Sequence, residues 1–346
     1  VQKFFIFFTI NKIKNFKHMK QKFLTLSLAF VAIIFLINAC KNEPAKQVEI
    51  SGNALLYNKV EVRSTVKYVD TKGINKTYLE SLCESVLSGK TQVRDFPFQT
   101  FIFDSLNSIS IDEVKSNLGI TKENTNYKNE IAGICFIENW SLNEKTLKFS
   151  KEVNHVCPVR IYENKDVKGN QLLTVPFTLP VKDLSAVENK NLELFAENVV
   201  YMMEFNPLDP NYPAISGLNT KKLVDLLVDG PISGKQKVYD FDLTTMNRTD
   251  KILSNEEVLR SLGQRIDTVA KQDINGNNIG TAIDTLFAKD LKYFEIKAVF
   301  FIENWYYDKE NFNVKKEILG YGPVRYYDHP YIEGQTLKTV PYIIKN

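Results

Sequence analysis

The sequence predicts an α+β fold made of two tandem copies of an α/β repeat, each with two short helices and an antiparallel sheet. Three observations predict it. Residues Gly133–Phe177 and Ala298–Tyr342, set 165 positions apart without a gap, are identical at 16 of 45 positions. A Ser-x-x-Glu start signal stands ahead of each matched block, at Ser110/Glu113 and Ser254/Glu257. The matched blocks are rich in β-branched and aromatic residues, the composition of strands. A repeat of this length decides the architecture before any single element does.

The identities cluster. Phe136-Ile137-Glu138-Asn139-Trp140 matches Phe301-Ile302-Glu303-Asn304-Trp305, and the two tryptophans are the only ones in the chain. Pro158, Val159 and Arg160 match Pro323, Val324 and Arg325, and Thr174-Val175-Pro176 matches Thr339-Val340-Pro341. Upstream the offset falls to 145, pairing Ser88-Gly89-Lys90 with Ser233-Gly234-Lys235, and to 144, pairing Glu113–Gly119 with Glu257–Gly263. The change of offset puts a 21-residue insertion between Gly263 and Ala298 of the second copy. The copies run from about 51 to 178 and from about 190 to 346, with a linker at 179–189.

Each copy is expected to open with a strand, Val60–Val69 or Val199–Phe205. A first helix follows, Lys76–Leu87 or Lys221–Val228, with an apolar face at Leu79, Leu82 and Val86 or at Val224, Leu227 and Val228, ending near Gly89 or Gly230. The second helix begins in a capping box, where serine oxygen and glutamate carboxylate each satisfy an orphan amide, and stops at Gly119 or Gly263. Long strands come next, at Ile131–Trp140 and Val153–Tyr162, then at Tyr293–Tyr306 and Val314–Tyr327. Within the insertion, Asn275-Gly276 between Thr268–Ala270 and Ile279–Ile283 signals a hairpin.

The N-terminal stretch reads as an address. Val1–His18 is an upstream extension ahead of Met19, and residues 19–39 form a lipoprotein signal peptide: Lys20 and Lys22, then Phe23–Ile37 without a charge. That apolar run is short for a bilayer span, which needs about 20 residues. It ends Ile37-Asn38-Ala39-Cys40, a lipobox pattern that makes Cys40 the lipidated N-terminus; a plain signal peptide or a signal anchor is the alternative. Residues 40–50 form a polar tether. The absence of aspartate after Cys40 favours the outer membrane and, with only Glu43 acidic nearby, gives weak support for surface export; the periplasmic face is the expected side. The six lysines of residues 1–39 account for the formal +3 charge; the remainder carries 38 basic and 41 acidic groups, net −3. That balance excludes a nucleic-acid binder, which concentrates positive charge.

Several motifs resemble sites and fall short of them. Ser88-Gly89-Lys90-Thr91 resembles the end of a phosphate loop, but Glu84 stands where the loop needs glycine, so it reads as a helix-end turn. Asp273-x-Asn275-x-Asn277 begins like a calcium loop but has Asn278 at the turn-glycine position and no twelfth-position glutamate. His155 and His329 occupy no shared repeat position and no metal-ligand spacing. No catalytic residue, cofactor or metal is expected. Glu138 and Glu303 recur, yet without an evident partner for acid–base work they read as structural, as do Trp140, Trp305, Pro158 and Pro323. Arg160 and Arg325 are expected to pair with Glu138 and Glu303 across strands. An oxidising envelope permits a Cys135–Cys157 disulfide, but Phe300 and Gly322 stand at the matched positions, so a pair of buried thiols is an equal alternative.

The second copy resembles the GldN/PorN family of gliding-motility and type IX secretion proteins. The resemblance rests on Asn211-Tyr212-Pro213, Leu223-Val224-Asp225-Leu226-Leu227, Val238-Tyr239-Asp240, Asp242-Leu243-Thr244-Thr245 and Asp267-Thr268-Val269. It is strongest over Glu303-Asn304-Trp305-Tyr306-Tyr307-Asp308-Lys309-Glu310 and Ile318-Leu319-Gly320-Tyr321-Gly322-Pro323-Val324-Arg325. It implies a non-enzymatic oligomeric component of the envelope machinery. Its implied partners are a ring-forming outer-membrane lipoprotein and other type IX secretion and gliding subunits. A tandem, lipid-anchored chain departs from the family's usual single unlipidated copy. The alternative is an accessory outer-membrane lipoprotein that uses the same fold to bind another envelope partner or a glycan.

Overall fold

Alternating, aromatic-rich segments become strands where the pattern places them, and most run on past the pattern's edges. The computed structural model describes residues 60–346 apart from 69–72, 97–105, 123–124, 126, 165–166, 168, 185, 206–213, 217, 243–244 and 246. The signal stretch, Cys40 and the tether lie outside the described residues. In chain order the first part holds β1 (Val60–Lys67), α1 (Thr77–Leu87), α2 (Ile111–Asn117), α3 (Tyr127–Glu130), β2 (Ile131–Leu142), β3 (Phe149–Glu163), β4 (Gln171–Thr174) and β5 (Leu179–Pro180). The second part holds β6 (Glu193–Glu204), β7 (Ala214–Ser216), α4 (Thr220–Ile232), β8 (Tyr239–Asp242), β9 (Asn247–Ile252) and α5 (Asn255–Ser261). It continues with β10 (Arg265–Gln272), β11 (Asn278–Leu286), α6 (Ala288–Glu295), β12 (Ile296–Tyr307), β13 (Val314–Asp328), β14 (Thr336–Thr339) and β15 (Ile344–Lys345).

Two antiparallel sheets carry the fold. One has the order β4-β3-β2-β1-β7 with β5 also on β3; the other has the order β14-β13-β12-β6 with β15 also on β13. β2 and β12 are buried along nearly their whole length, as strands covered on both faces are. The sheets share elements. β7, from the second part of the chain, pairs with β1, and Ile74, from the first part, bridges Ala196 of β6. The cores are shared too. The cluster around α1 (Tyr78, Leu79, Leu82) takes in Trp305, Tyr307 and Phe312, while the cluster around α4 (Leu223, Val224, Leu227) takes in Trp140, Leu147 and Phe149.

The helix starts form as their chemistry dictates. Both capping boxes are closed, Ser110 with Glu113 and Ser254 with Glu257. Ser88-Gly89-Lys90 is a helix-end turn, with Gly89 at φ 77° and Lys90 N–H donating to the Ser85 carbonyl. The hairpin of the insertion forms as β10–β11, its turn held by Asp273, which accepts from the amides of Asn275 and Asn277.

Other boundaries differ from expectation, each for a physical reason. The helix expected to end near Gly230 continues through Pro231 to Ile232. Proline cannot donate to the carbonyl four residues back; that Leu227 oxygen instead accepts from the buried Tyr342 hydroxyl at 2.8 Å. Tyr293 lies in α6 rather than in a strand, because Lys292 of that helix is drawn onto Asp225 and Asp229 of α4 at 2.7 and 2.6 Å. β6 begins at Glu193, six residues before Val199, because β12 and the Gly73–Asn75 segment pair with its early residues.

Candidate functional site

Glu138 and Glu303 sit on the covered faces of β2 and β12 and are buried completely. An ionised carboxylate there needs a cation in hydrogen-bond contact, since burial alone would neutralise it. Each takes that cation from the opposite sheet. Lys316 of β13 lies 2.6 Å from Glu138, and Lys151 of β3 lies 2.6 Å from Glu303. The diagonal contacts are longer, Lys151 to Glu138 at 3.8 Å and Lys316 to Glu303 at 3.9 Å. All four side chains are inaccessible to solvent.

The quartet is lined by aromatic groups that supply its remaining bonds. Trp140 Nε1 donates to Glu138 at 2.8 Å, and Trp305 Nε1 donates to Glu303 at 2.7 Å. Lys151 Nζ stands 3.2 Å from the centre of the Phe301 ring, and Lys316 Nζ stands 3.9 Å from that of Phe136. The ammonium groups thus meet ring faces in place of water. Trp140 packs edge-on against Phe301 and Trp305 against Phe136, so each tryptophan closes the other half's ring. Every member has a counterpart 165 residues away that makes the reciprocal contact across the joint.

The charges hold one another in place. Burial opposes ionisation of Glu303, but the Lys151 and Lys316 ammoniums and the Trp305 N–H outweigh it and hold its pKa below the ordinary glutamate value. Burial pulls Lys151 down to about 8, against the opposing pull of Glu303 and Glu138. Burial, then the two carboxylates, raise Tyr201, whose hydroxyl accepts from Lys151 at 2.6 Å and donates to Glu303 at 2.9 Å. With each proton-bearing group so engaged, the chemistry of this site is fastening.

The arginines belong elsewhere, which corrects the expected Arg–Glu pairing. Antiparallel register places Arg160 opposite Ile131, at the far end of β2 from Glu138, whose partner is Val153. Arg160 instead pairs with Glu130 at 2.6 Å and donates to the Asn117 carbonyl at the end of α2. Arg325 makes the matching pair with Glu295 at the end of α6. A Cβ on Gly119 would come within 2.1 Å of the Arg160 guanidinium and one on Gly263 within 2.3 Å of Arg325, so these helix-end glycines also make room for the arginines. Pro158 and Pro323 pair inward with Ile134 and Val299, and the outer strands reach neither of them, so the missing amide costs no ladder bond.

Cys135 and Cys157 are direct partners in register, both buried and both thiols here. At the equivalent of Cys157, a Cβ on Gly322 would fall 2.1 Å from the Tyr342 carbonyl oxygen, which is why that place admits no cysteine. Burial pushes the Cys83 thiol up to about 12. His155 lies half-buried in β3, and His329 Nδ1 accepts from the amides of Tyr331 and Ile332 in a surface turn. Sequence reasoning singled out both glutamates and both tryptophans but missed their cations. The available signal was that Lys151 and Lys316 are themselves identical positions in the matched blocks.

Two antiparallel sheets joined through a buried charge quartet define a protein of the α+β class. Residues 194–343, from β6 to just before β15, match the family model described as gliding motility associated protein GldN, and this region is similar to that family. The match associates this region with gliding motility and type IX secretion. No curated protein matches the chain. No helix among the described residues is long and apolar enough to cross a membrane.

Proposed function

We propose that the chain is a lipid-anchored assembly component of the gliding and type IX secretion machinery, built from two GldN-like copies joined as a permanent pair. The observation that carries the pairing is the reciprocal quartet, in which each half supplies the cation for the other half's glutamate and a ring packed on the other half's tryptophan. Lipid on Cys40 holds the pair at the periplasmic face of the outer membrane. Its partners are a ring-forming outer-membrane lipoprotein and other subunits of that machinery. A Cys135–Cys157 disulfide, admitted by their direct register, would tie β2 to β3 in this oxidising setting.

The test is a tagged pull-down from detergent-solubilised envelopes of the native bacterium, read by mass spectrometry. Stoichiometric recovery of type IX ring and motor subunits supports the reading. An intact, membrane-bound bait that recovers none of them overturns it. In that case the accessory-lipoprotein reading takes over, with the exposed Phe287, Tyr293 and Phe294 along α6 as its contact surface. Pairing is tested by producing residues 51–178 and 190–346 separately: the two should bind one another, and two stable monomers without mutual affinity would end the pairing reading. Cys40→Ala should abolish lipid labelling.

A further inference from the structure

The ribbon β10–β11 is left over from the pairing of the halves. It forms a two-stranded sheet of its own, in one register from Arg265↔Leu286 to Lys271↔Gly280 with a bulge before Gln272↔Asn278, and no described strand pairs with either outer edge. Three of its isoleucines face water: Ile266 is 72% exposed, Ile279 56% and Ile274, at the turn, fully so. A lone two-stranded ribbon is marginal in water, and three or more strands are needed for a self-sufficient sheet. The ribbon falls within the insertion that the first copy lacks, so nothing in the other half is shaped to complete it.

The order of charges along β10 says what would complete it. Strand alternation puts residues 265, 267, 269 and 271 on one face, and Asp273 extends the row at the turn. The row reads Arg265, Asp267, Val269, Lys271, Asp273: positive, negative, apolar, positive, negative. Reversed end for end, that row is its own complement. Two β10 edges laid antiparallel, with the two Val269 residues at the twofold axis, put Asp267 of each copy opposite Lys271 of the other. Arg265 then falls opposite Asp273, a weaker pair because Arg265 is already engaged and that carboxylate already accepts from the Asn275 and Asn277 amides.

Opposite charges directly across an antiparallel pair stabilise it, and a twofold contact requires a surface that complements itself. Charges on an edge strand ordinarily guard against pairing. This order attracts its own copy instead. β11 carries one charge, Asp284, and offers no such match. We propose that two copies of the chain associate through their β10 edges, forming one four-stranded sheet of order β11-β10-β10-β11.

Sedimentation of the full chain in detergent, with two opposed charge variants, tests this. The unaltered chain should dimerise. Asp267→Lys and Lys271→Glu should each weaken self-association about tenfold or more, by facing like charges across the twofold. Mixed together, these two variants should recover a dimer, since each then meets its complement. Val269→Cys should crosslink to its own copy under mild oxidation far faster than Ile266→Cys. All four positions lie on the ribbon rather than in the shared cores, and an unchanged melting temperature serves as the folding control. A chain that stays monomeric up to on the order of 100 µM overturns the proposal. So does a dimer indifferent to both charge variants, or a β10 edge protected only by a different protein.

Discussion

At the joint, Lys316 reaches into the first half and finds Glu138 with Ser64 at 3.5 Å, whereas Lys151 reaches into the second half and finds Glu303 with Tyr201 at 2.6 Å. The two pockets agree in the carboxylate, the cation, the indole donor and the ring face. They differ in the hydroxyl that completes them. What has to match is the set that neutralises and covers charge, because a buried ion without its counterion is costly. A third ligand can vary, since each ammonium already has its carboxylate. The halves diverge further at the rim, where only the second carries the β10–β11 ribbon.

Substitutions at the joint give the largest test of that comparison. Lys316→Met and Lys151→Met should each cost about 3–5 kcal/mol in urea unfolding, because each strands a buried carboxylate. Lys316→Met should be the worse of the two, since Glu303 keeps the Tyr201 hydroxyl as a donor while Glu138 has no such second hydroxyl. Removing both partners with Glu138→Gln/Lys316→Met should recover most of the loss. A single-variant loss below about 1 kcal/mol would mean that the charges are not held as a set.

The tryptophans come next. Trp140→Phe and Trp305→Phe each delete a buried N–H donor, at about 1–3 kcal/mol. Glu303 keeps the Tyr201 donor while Glu138 has no such second hydroxyl, so Trp140→Phe should be the costlier change. Equal losses would deny that Tyr201 supports its half. Gly119→Ala and Gly263→Ala should each cost more than about 1 kcal/mol, by similar amounts, because both sit at positive φ beneath an arginine. At the exposed caps, Ser110→Ala and Ser254→Ala should each lower stability by about 1 kcal/mol; a gap between them beyond experimental error would show that the boxes are not equivalent.

The smallest effects are those of pH. The folded pKa of Glu303 lies below its unfolded value of about 4.3, so its contribution is whole above that value and fades as pH falls through the folded pKa. Glu303→Gln should flatten part of the acid limb of a stability curve. Lys151, at about 8, lies below its unfolded value of about 10.4. Between those values the unfolded chain holds the proton that the folded chain has released, so this group's contribution rises with pH across the window. Lysine Cε resonances should show one midpoint near 8; a full set titrating at the ordinary value would contradict the buried pair.

How much could be read in advance follows from distance along the chain. Capping boxes, helix-end turns and the Asn275-Gly276 hairpin were legible because three or four residues decide them. The long strands were legible in kind, while their ends depended on neighbours such as the Gly73–Asn75 segment. α6 was not legible: Tyr293 and Phe294 carry strand composition, and only the Lys292 contacts to Asp225 and Asp229 fix a helix there. The quartet was half legible. Its glutamates and tryptophans stood out by recurrence, but Glu138 and Lys316 are 178 residues apart, and nothing local announces that pair. The nearer and wrong partner, arginine, fell to the register.

The exchange of edges between the sheets also bears on mechanics. β1 is the first described strand, and it is flanked by β2 along all eight of its residues and by β7 over three. Tension drawn along the chain ahead of Val60 therefore loads a full ladder in shear, with its bonds stretched in parallel rather than opened one at a time. Because β7 comes from the second half and Ile74, just beyond β1, grips β6, the load divides between both sheets. Forced unfolding is a matter of rate, and a part built this way should yield late, with both halves giving way together.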